Sequence, residues 1–204
     1  SFLDVEKDGR VKVDELHDCT HQGQTAVVSM MWANNETGVI GPVEAALNAA
    51  HDHGALFHTD AVQAAGKIPI SVKQTPVDYL SLSGHKFHAP KGIGALYISK
   101  RVRFKPWMLG GGQESGRRSG TENVPHIVAM GKAAEIMRTE LEAGGEARIR
   151  EMRDEFEKHI FAGLPDAVRN GHVTHRLPNT SSLTFPGIDA AGMLILLDEK
   201  GIAC

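Results

Sequence analysis

The sequence predicts an α/β fold built on a mostly parallel sheet, and two observations carry that prediction. Short runs rich in apolar and β-branched residues (25–32, 55–58, 78–82) alternate with stretches of helical spacing, as βαβ units require. Each run also stops at a polar turn: 34–38, then Thr59 and Asp60, then Ser83 to Lys86. Parallel sheets gather ligand-binding groups outside the carboxyl ends of their strands, so these turns are expected along one edge.

Taken in order, Asp8-Gly9 marks a turn, and residues 11–16 lead into a short helix. Residues 25–32 read as a buried parallel strand. Pro42 suits a helix start, and Val43, Ala46, Leu47 and Ala50 recur at helical spacing until Gly54. Residues 55–58 form the next strand, stopped by Thr59 and Asp60, and a small-residue stretch, 61–66, follows. The strand over 78–82 breaks at Ser83-Gly84-His85-Lys86, and a second apolar run begins beyond Pro90 and Gly92. A glycine-rich, doubly basic loop spans 110–121. Helices are predicted over 124–141, 147–162 and 190–199, with a strand over 178–185. In the second helix Ile149, Met152, Phe156 and Ile160 share one face, and its charges are expected on a solvated face. Gly144-Gly145 suggests a boundary between a large unit, 1–145, and the start of a smaller one, 146–204.

Composition narrows the function classes. The 204 residues are 41% hydrophobic and 23% charged with a net charge of −3, which favours a soluble globular enzyme or module. Nothing there calls for nucleic acid or a membrane, and no apolar run is long enough to span one. The two cysteines, Cys19 and Cys204, are too few for a disulfide framework, so a reducing, cytoplasmic setting is expected. The abrupt start and the fresh strand after Lys200 are read as the ends of a fragment.

The candidate residues lie at the strand ends. Lys86, flanked by Ser83, Gly84 and His85, suits a covalent anchor for a carbonyl cofactor, although a lone lysine is ordinarily a surface residue. Ser83 and His85 offer donors to a phosphate. Asp60 is either a cap for the next segment or a partner for a protonated pyridine nitrogen, and Gln63 would lie near the same ring. Asn35 sits in a turn-favouring sequence and also offers an amide to a ligand oxygen. The spacing Gly111 to Gly116 resembles a phosphate loop, but Arg117-Arg118 stand where lysine and a hydroxyl are required. The histidines (His17 and His21 beside Cys19, His51 and His53, His172 and His175) match no zinc spacing, so no metal ligand set is expected.

The segments Met31-Trp32-Ala33-Asn34-Asn35-Glu36-Thr37-Gly38, His58-Thr59-Asp60-Ala61-Val62-Gln63-Ala64, Ser81-Leu82-Ser83-Gly84-His85-Lys86, Ala89-Pro90-Lys91-Gly92 and Arg118-Ser119-Gly120-Thr121-Glu122-Asn123 closely resemble cysteine desulfurases of the nitrogen-fixation type, within the class-V aminotransferases. The resemblance implies pyridoxal 5'-phosphate as cofactor and fold type I, with a seven-stranded, mostly parallel sheet and a smaller α+β domain. It implies that Lys86 carries the cofactor and moves protons, Asp60 faces the pyridine nitrogen, Gln63 the ring hydroxyl, and Ser83 and His85 the phosphate. Thr121 would reach the phosphate in the other subunit of a homodimer, and Asn35 the ring oxygen or the substrate carboxylate. The implied reaction converts L-cysteine to L-alanine and passes sulfur through an enzyme cysteine persulfide to an iron–sulfur scaffold protein. The family's nucleophilic cysteine and substrate-binding arginine are expected beyond residue 204, and Cys204 is read as a small apolar residue. A selenocysteine lyase, a class-V aminotransferase, or a non-catalytic α/β module that binds a protein remain the alternatives.

Overall fold

The computed structural model describes residues 1–203, so the reading of Cys204 lies outside it. The order is α1 (Val13–Cys19), β1 (Val27–Met31), α2 (Val43–Asp52), β2 (Leu56–Asp60), β3 (Tyr79–Ser83), a 3-10 turn (Gly84–Phe87) and β4 (Gly94–Ile98). It continues through α3 (Gln113–Gly116), α4 (Val124–Glu142), α5 (Gly145–Gly163), β5 (Val168–Arg169), β6 (Leu183–Thr184) and α6 (Ala190–Glu199). One sheet has the order β1-β2-β3-β4, with the first three strands parallel and β4 antiparallel at the edge. The predicted α/β class with a mostly parallel sheet is thus observed, in a sheet of four strands among the described residues. Among the described residues no helix is long and apolar enough to cross a membrane.

α2 shows how sequence becomes packing. Val43, Ala46, Leu47 and Ala50 fall on one stripe, and all are buried against Phe57, Ala55 and Trp32 in the main core. Small residues at Ala46, Ala49 and Ala50 let the helix lie close to the sheet. β2 runs through Asp60, two residues past the predicted stop. Its ladder continues because the Trp32 N–H donates to the Asp60 carbonyl (2.8 Å) and the Ala61 N–H to the Ser81 carbonyl (3.1 Å). The strand predicted over 178–185 shrinks to Leu183–Thr184, because the chain turns at Pro178 and Asn179 after the buried Arg176 and Leu177. There the Leu177 N–H donates to the Gly38 carbonyl (2.8 Å), and Leu177 joins the main core.

α5 reverses the sequence expectation. Its buried residues are Arg153 and Glu157, while Ile149, Met152 and Phe156 are exposed. The reason is a charge network that satisfies itself inside the fold. Glu157 accepts from Arg176 at 2.5 and 2.6 Å, from Arg169 at 2.8 Å and from Ser181 at 2.8 Å. Arg153 donates to the Leu177 carbonyl at 2.7 Å. Removing water from a charge is tolerated only where such partners replace it.

Burial pushes the Glu157 carboxyl up, but hydrogen bonds from Arg176, Ser181 and Arg169 and the Arg176 charge outweigh it and hold the group at about 2, against 4.5 ordinarily. A carboxyl lowered on folding contributes stability that is complete above its unfolded value and is lost as pH falls toward the folded one. Glu157→Gln is expected to lower stability at neutral pH by roughly 3–5 kcal/mol, because buried guanidinium charge loses its counter-ion. Thermal melting between pH 2 and pH 7 checks this: the wild-type curve should fall below about pH 4.5, and the variant should lose that part of the slope.

Candidate functional site

The parallel register sets the site. Met31 pairs with Asp60, and Asp60 pairs with Ser81, so the chain leaves β1, β2 and β3 along a single edge. From β1 it enters the turn at Asn34. There Asn34 Oδ1 accepts from the Glu36 and Thr37 backbone N–H groups (both 2.9 Å) and from the Thr37 hydroxyl (3.1 Å). The turn chemistry anticipated for this stretch therefore falls to Asn34, and Asn35 beside it stays exposed.

Asp60 closes β2 half-buried, and its Oδ1 accepts from the Val62 N–H at 2.9 Å. That contact is the local cap expected of it, and the second carboxylate oxygen has no such turn contact. Behind it on the sheet, His58 spans three strands, with Nδ1 2.7 Å from the Ser29 hydroxyl and Nε2 2.8 Å from the Ser81 hydroxyl. Burial pushes His58 below its ordinary range, opposed in part by the Asp60 charge. A neutral ring suits its two hydroxyl neighbours, one accepting and one donating.

The lysine turn follows β3. Ser83 Oγ lies 2.9 Å from His85 Nδ1, and Lys86 is exposed beside them. Its neighbours fix it from both sides. Phe87 is buried with Ala89, Ala133 and the half-buried Ala65, Ile93, Met130 and Met137. Gly84 is also buried, and a Cβ there would lie 2.8 Å from Ile93 Cγ2 and 3.0 Å from the Ala89 methyl. Gln63 stands in the turns after β2, where Lys67 Nζ donates to its Oε1 at 3.2 Å.

Thr121 is not drawn into this group. It lies exposed in the glycine-rich loop, whose own contacts are local: Ser119 Oγ donates to the Leu109 carbonyl (3.0 Å) and the Gly120 N–H to Gln113 Oε1 (3.1 Å). α4 begins at Val124 and packs against the Phe87 cluster through Met130, Ala133 and Met137, starting about 9 Å further along at ~1.5 Å per residue. The edge thus collects Asn35, Asp60, Gln63, Ser83, His85 and Lys86, and among the described residues no side-chain hydrogen bond joins Thr121 to them. Among the described residues, no three His, Cys, Asp or Glu side chains gather as a metal site would need.

A carboxylate, two carboxamides, a hydroxyl–imidazole pair and a primary amine at or just beyond adjoining strand ends suit a phosphorylated pyridine aldehyde. The family model for aminotransferase class-V matches residues 1–204.

The chain belongs to the class-V aminotransferase family.

It is 47% identical over 202 residues to a cysteine desulfurase of Nostoc sp., covering 99% of this chain and 50% of that protein. It is 45% identical over 201 residues to cysteine desulfurase NifS of Azotobacter vinelandii, again covering half of that protein. A solved NifS-like protein superposes with a TM-score of 0.89 at 40% identity, over 100% of this chain and 55% of its own. The chain spans about half the length of the curated relatives it matches. Class-V aminotransferases are pyridoxal-phosphate enzymes, and the fold here is their fold type I.

Two site neighbours escape a reading of the sequence. His58 looks like an ordinary strand residue, since its serine partners lie 29 and 23 positions away. Lys67 gives no local signal either, because the reversal at Gly66, with a φ of 75°, is what brings it back to Gln63.

Gly84→Ala tests how closely the lysine turn is packed. The added methyl collides with Ile93 and Ala89, and overpacking of this kind costs about 1–3 kcal/mol. The melting temperature should drop, and pyridoxal phosphate uptake should weaken along with it; an unchanged melting temperature would refute the packing argument.

Proposed function

We propose that the intact protein is a cysteine desulfurase that binds pyridoxal phosphate through the strand-end residues of this chain. The observation that carries this reading is the convergence of Asn35, Asp60 and Ser83-His85-Lys86 on one sheet edge, in a chain 47% identical to a cysteine desulfurase. The cofactor, when bound, supplies an electron sink for a carbanion next to the substrate amino group.

The residues divide the work by chemistry. Lys86 is the covalent anchor, and its amine, once released, moves the proton at the substrate Cα. Asp60 holds a proton on the pyridine nitrogen by charge. Gln63 donates to the ring oxygen, and the Ser83 hydroxyl and His85 ring bind the phosphate. Asn35 offers its carboxamide to the substrate carboxylate or the ring oxygen. Thr121 is assigned to the phosphate of a second subunit in a homodimer, which accounts for an exposed loop that its own lysine turn does not use.

The overall reaction balances without an oxidant. The thiol of an enzyme cysteine takes the sulfur of L-cysteine as a persulfide, the C–S bond breaks, and a proton at the former Cβ completes L-alanine. An iron–sulfur scaffold protein is the acceptor we assign to the persulfide, in a cytoplasmic setting. We also divide the chain near Gly144, with 1–145 in the large cofactor-binding unit and 146–204 opening the smaller one; the left-handed φ of 81° at Gly144, between α4 and α5, supports this break.

The test is spectroscopic and chemical. Intact protein mixed with pyridoxal phosphate should absorb in the near-violet visible region, and with L-cysteine should release alanine and sulfide in equal amounts when a thiol reductant is present. Lys86→Ala should abolish the band and lower turnover by at least ~10³-fold. Turnover that survives this change would sink the assignment, and transamination of a keto acid without sulfide would favour an aminotransferase instead.

A further inference from the structure

We propose that Lys67 is a positioning residue of the cofactor site, fixing the Gln63 carboxamide so that its nitrogen rather than its oxygen is presented to the cofactor. This rests on the cofactor reading above and extends it to a residue outside the strand ends.

The geometry is local and directional. Lys67 Nζ stands 3.2 Å from Gln63 Oε1. An ammonium has three donors and no acceptor, so the carboxamide atom that faces it must be oxygen. This removes the two-fold ambiguity of an amide orientation. The two N–H donors of Gln63 are then its free end. A free N–H end recognises an anionic ring oxygen, whereas a carbonyl end would repel one. The preference for the ionised ring oxygen is thus set by the residue behind Gln63.

The backbone holds Lys67 in this place. Residues 61–68 form two successive hydrogen-bonded turns, in which the Ala65 N–H donates to the Ala61 carbonyl (2.9 Å) and the Ile68 N–H to the Ala64 carbonyl (3.2 Å). The chain reverses at Gly66, and the two turns bring Lys67 back to Gln63. Gly66 has a φ of 75°, and a Cβ there would lie 2.8 Å from the Phe87 Cβ and 3.2 Å from Met137 Cγ. The glycine therefore lets this turn press directly against the lysine turn. Lys67 is half-buried, and burial first, then the nearby Lys86 charge, push it below the ordinary lysine range. Partial burial removes part of the water that would otherwise solvate the ammonium.

The test uses the intact protein with Lys67→Met, Lys67→Arg, Gln63→Ala and the Lys67→Met/Gln63→Ala double variant. Three quantities are read at fixed pH: pyridoxal phosphate affinity, the ratio of visible to near-ultraviolet absorbance of the loaded protein, and the melting temperature without cofactor. Lys67→Met should weaken binding about tenfold and shift the absorbance ratio, the size expected for one charge-assisted hydrogen bond. Lys67→Arg should restore most of both. Adding Lys67→Met to Gln63→Ala should change affinity by less than about twofold, because the lysine acts through the glutamine. A Lys67→Met protein with wild-type affinity and absorbance overturns the proposal. So does a full tenfold loss in the Gln63→Ala background, or a loss that only follows a lowered cofactor-free melting temperature. If Lys86→Ala also leaves the absorbance untouched, the cofactor reading itself has failed, and this proposal with it.

Discussion

The site depends on the register of three parallel strands. Met31, Asp60 and Ser81 stand level across β1, β2 and β3, so the turns that follow begin from a common line. Side chains alternate between sheet faces at every residue, and a slip of one position would send Asp60 and His58 to the wrong faces. His58 resists such a slip with side-chain contacts to Ser29 and Ser81, in addition to the backbone ladder. The candidate lysine turn gains its position from this frame. Gly84 and Phe87 are buried, and α4 braces them through Ala133 and Met137.

Buried charge ties the remaining pieces together. Asp78, just before β3, is almost fully buried. It accepts from the Phe57 N–H at 2.9 Å and lies 2.7 Å from His51 Nε2 and 3.3 Å from Arg101 Nε. It therefore links α2, β2 and the segment after β4 at the end of the sheet away from the site. Glu157 does the same for α5, β5 and the 176–181 segment. Both carboxylates are surrounded by enough donors to replace their water, which is the condition for keeping a charge inside a fold. Neither touches the lysine turn. Their role is to hold the scaffold on which that turn is positioned.

The helices were legible from the sequence because their signals are local. α2, α4 and α6 start within two residues of their predicted positions, with Asn123 capping α4 by accepting from the His126 N–H and Asp189 capping α6 by accepting from the Gly192 N–H. The strand-end residues Asn35, Asp60, Ser83, His85 and Lys86 were legible for the same reason, since a polar turn after an apolar run marks an edge. α5 was misread. An apolar stripe ordinarily faces inward, but the ion network around Glu157 took that place, and its partners come from 12 to 24 residues away in the chain. The strand near 178–185 was misread likewise, because β-propensity does not foresee that Leu177 and Arg176 will turn back against Gly38 and Val39.

The sequence by itself determined the α/β alternation, the helix ends and the residue types along the strand-end edge, all of which follow from periodicity and turn chemistry within a few residues. Only the tertiary structure decided which polar groups meet: His58 between two serines, Lys67 on the oxygen of Gln63, and Glu157 beneath the side chains of Arg176, Arg169 and Ser181. The physical reason is distance along the chain. A hydrogen bond acts over about 3 Å, and which distant residues come within that range depends on strand register and packing rather than on any local pattern.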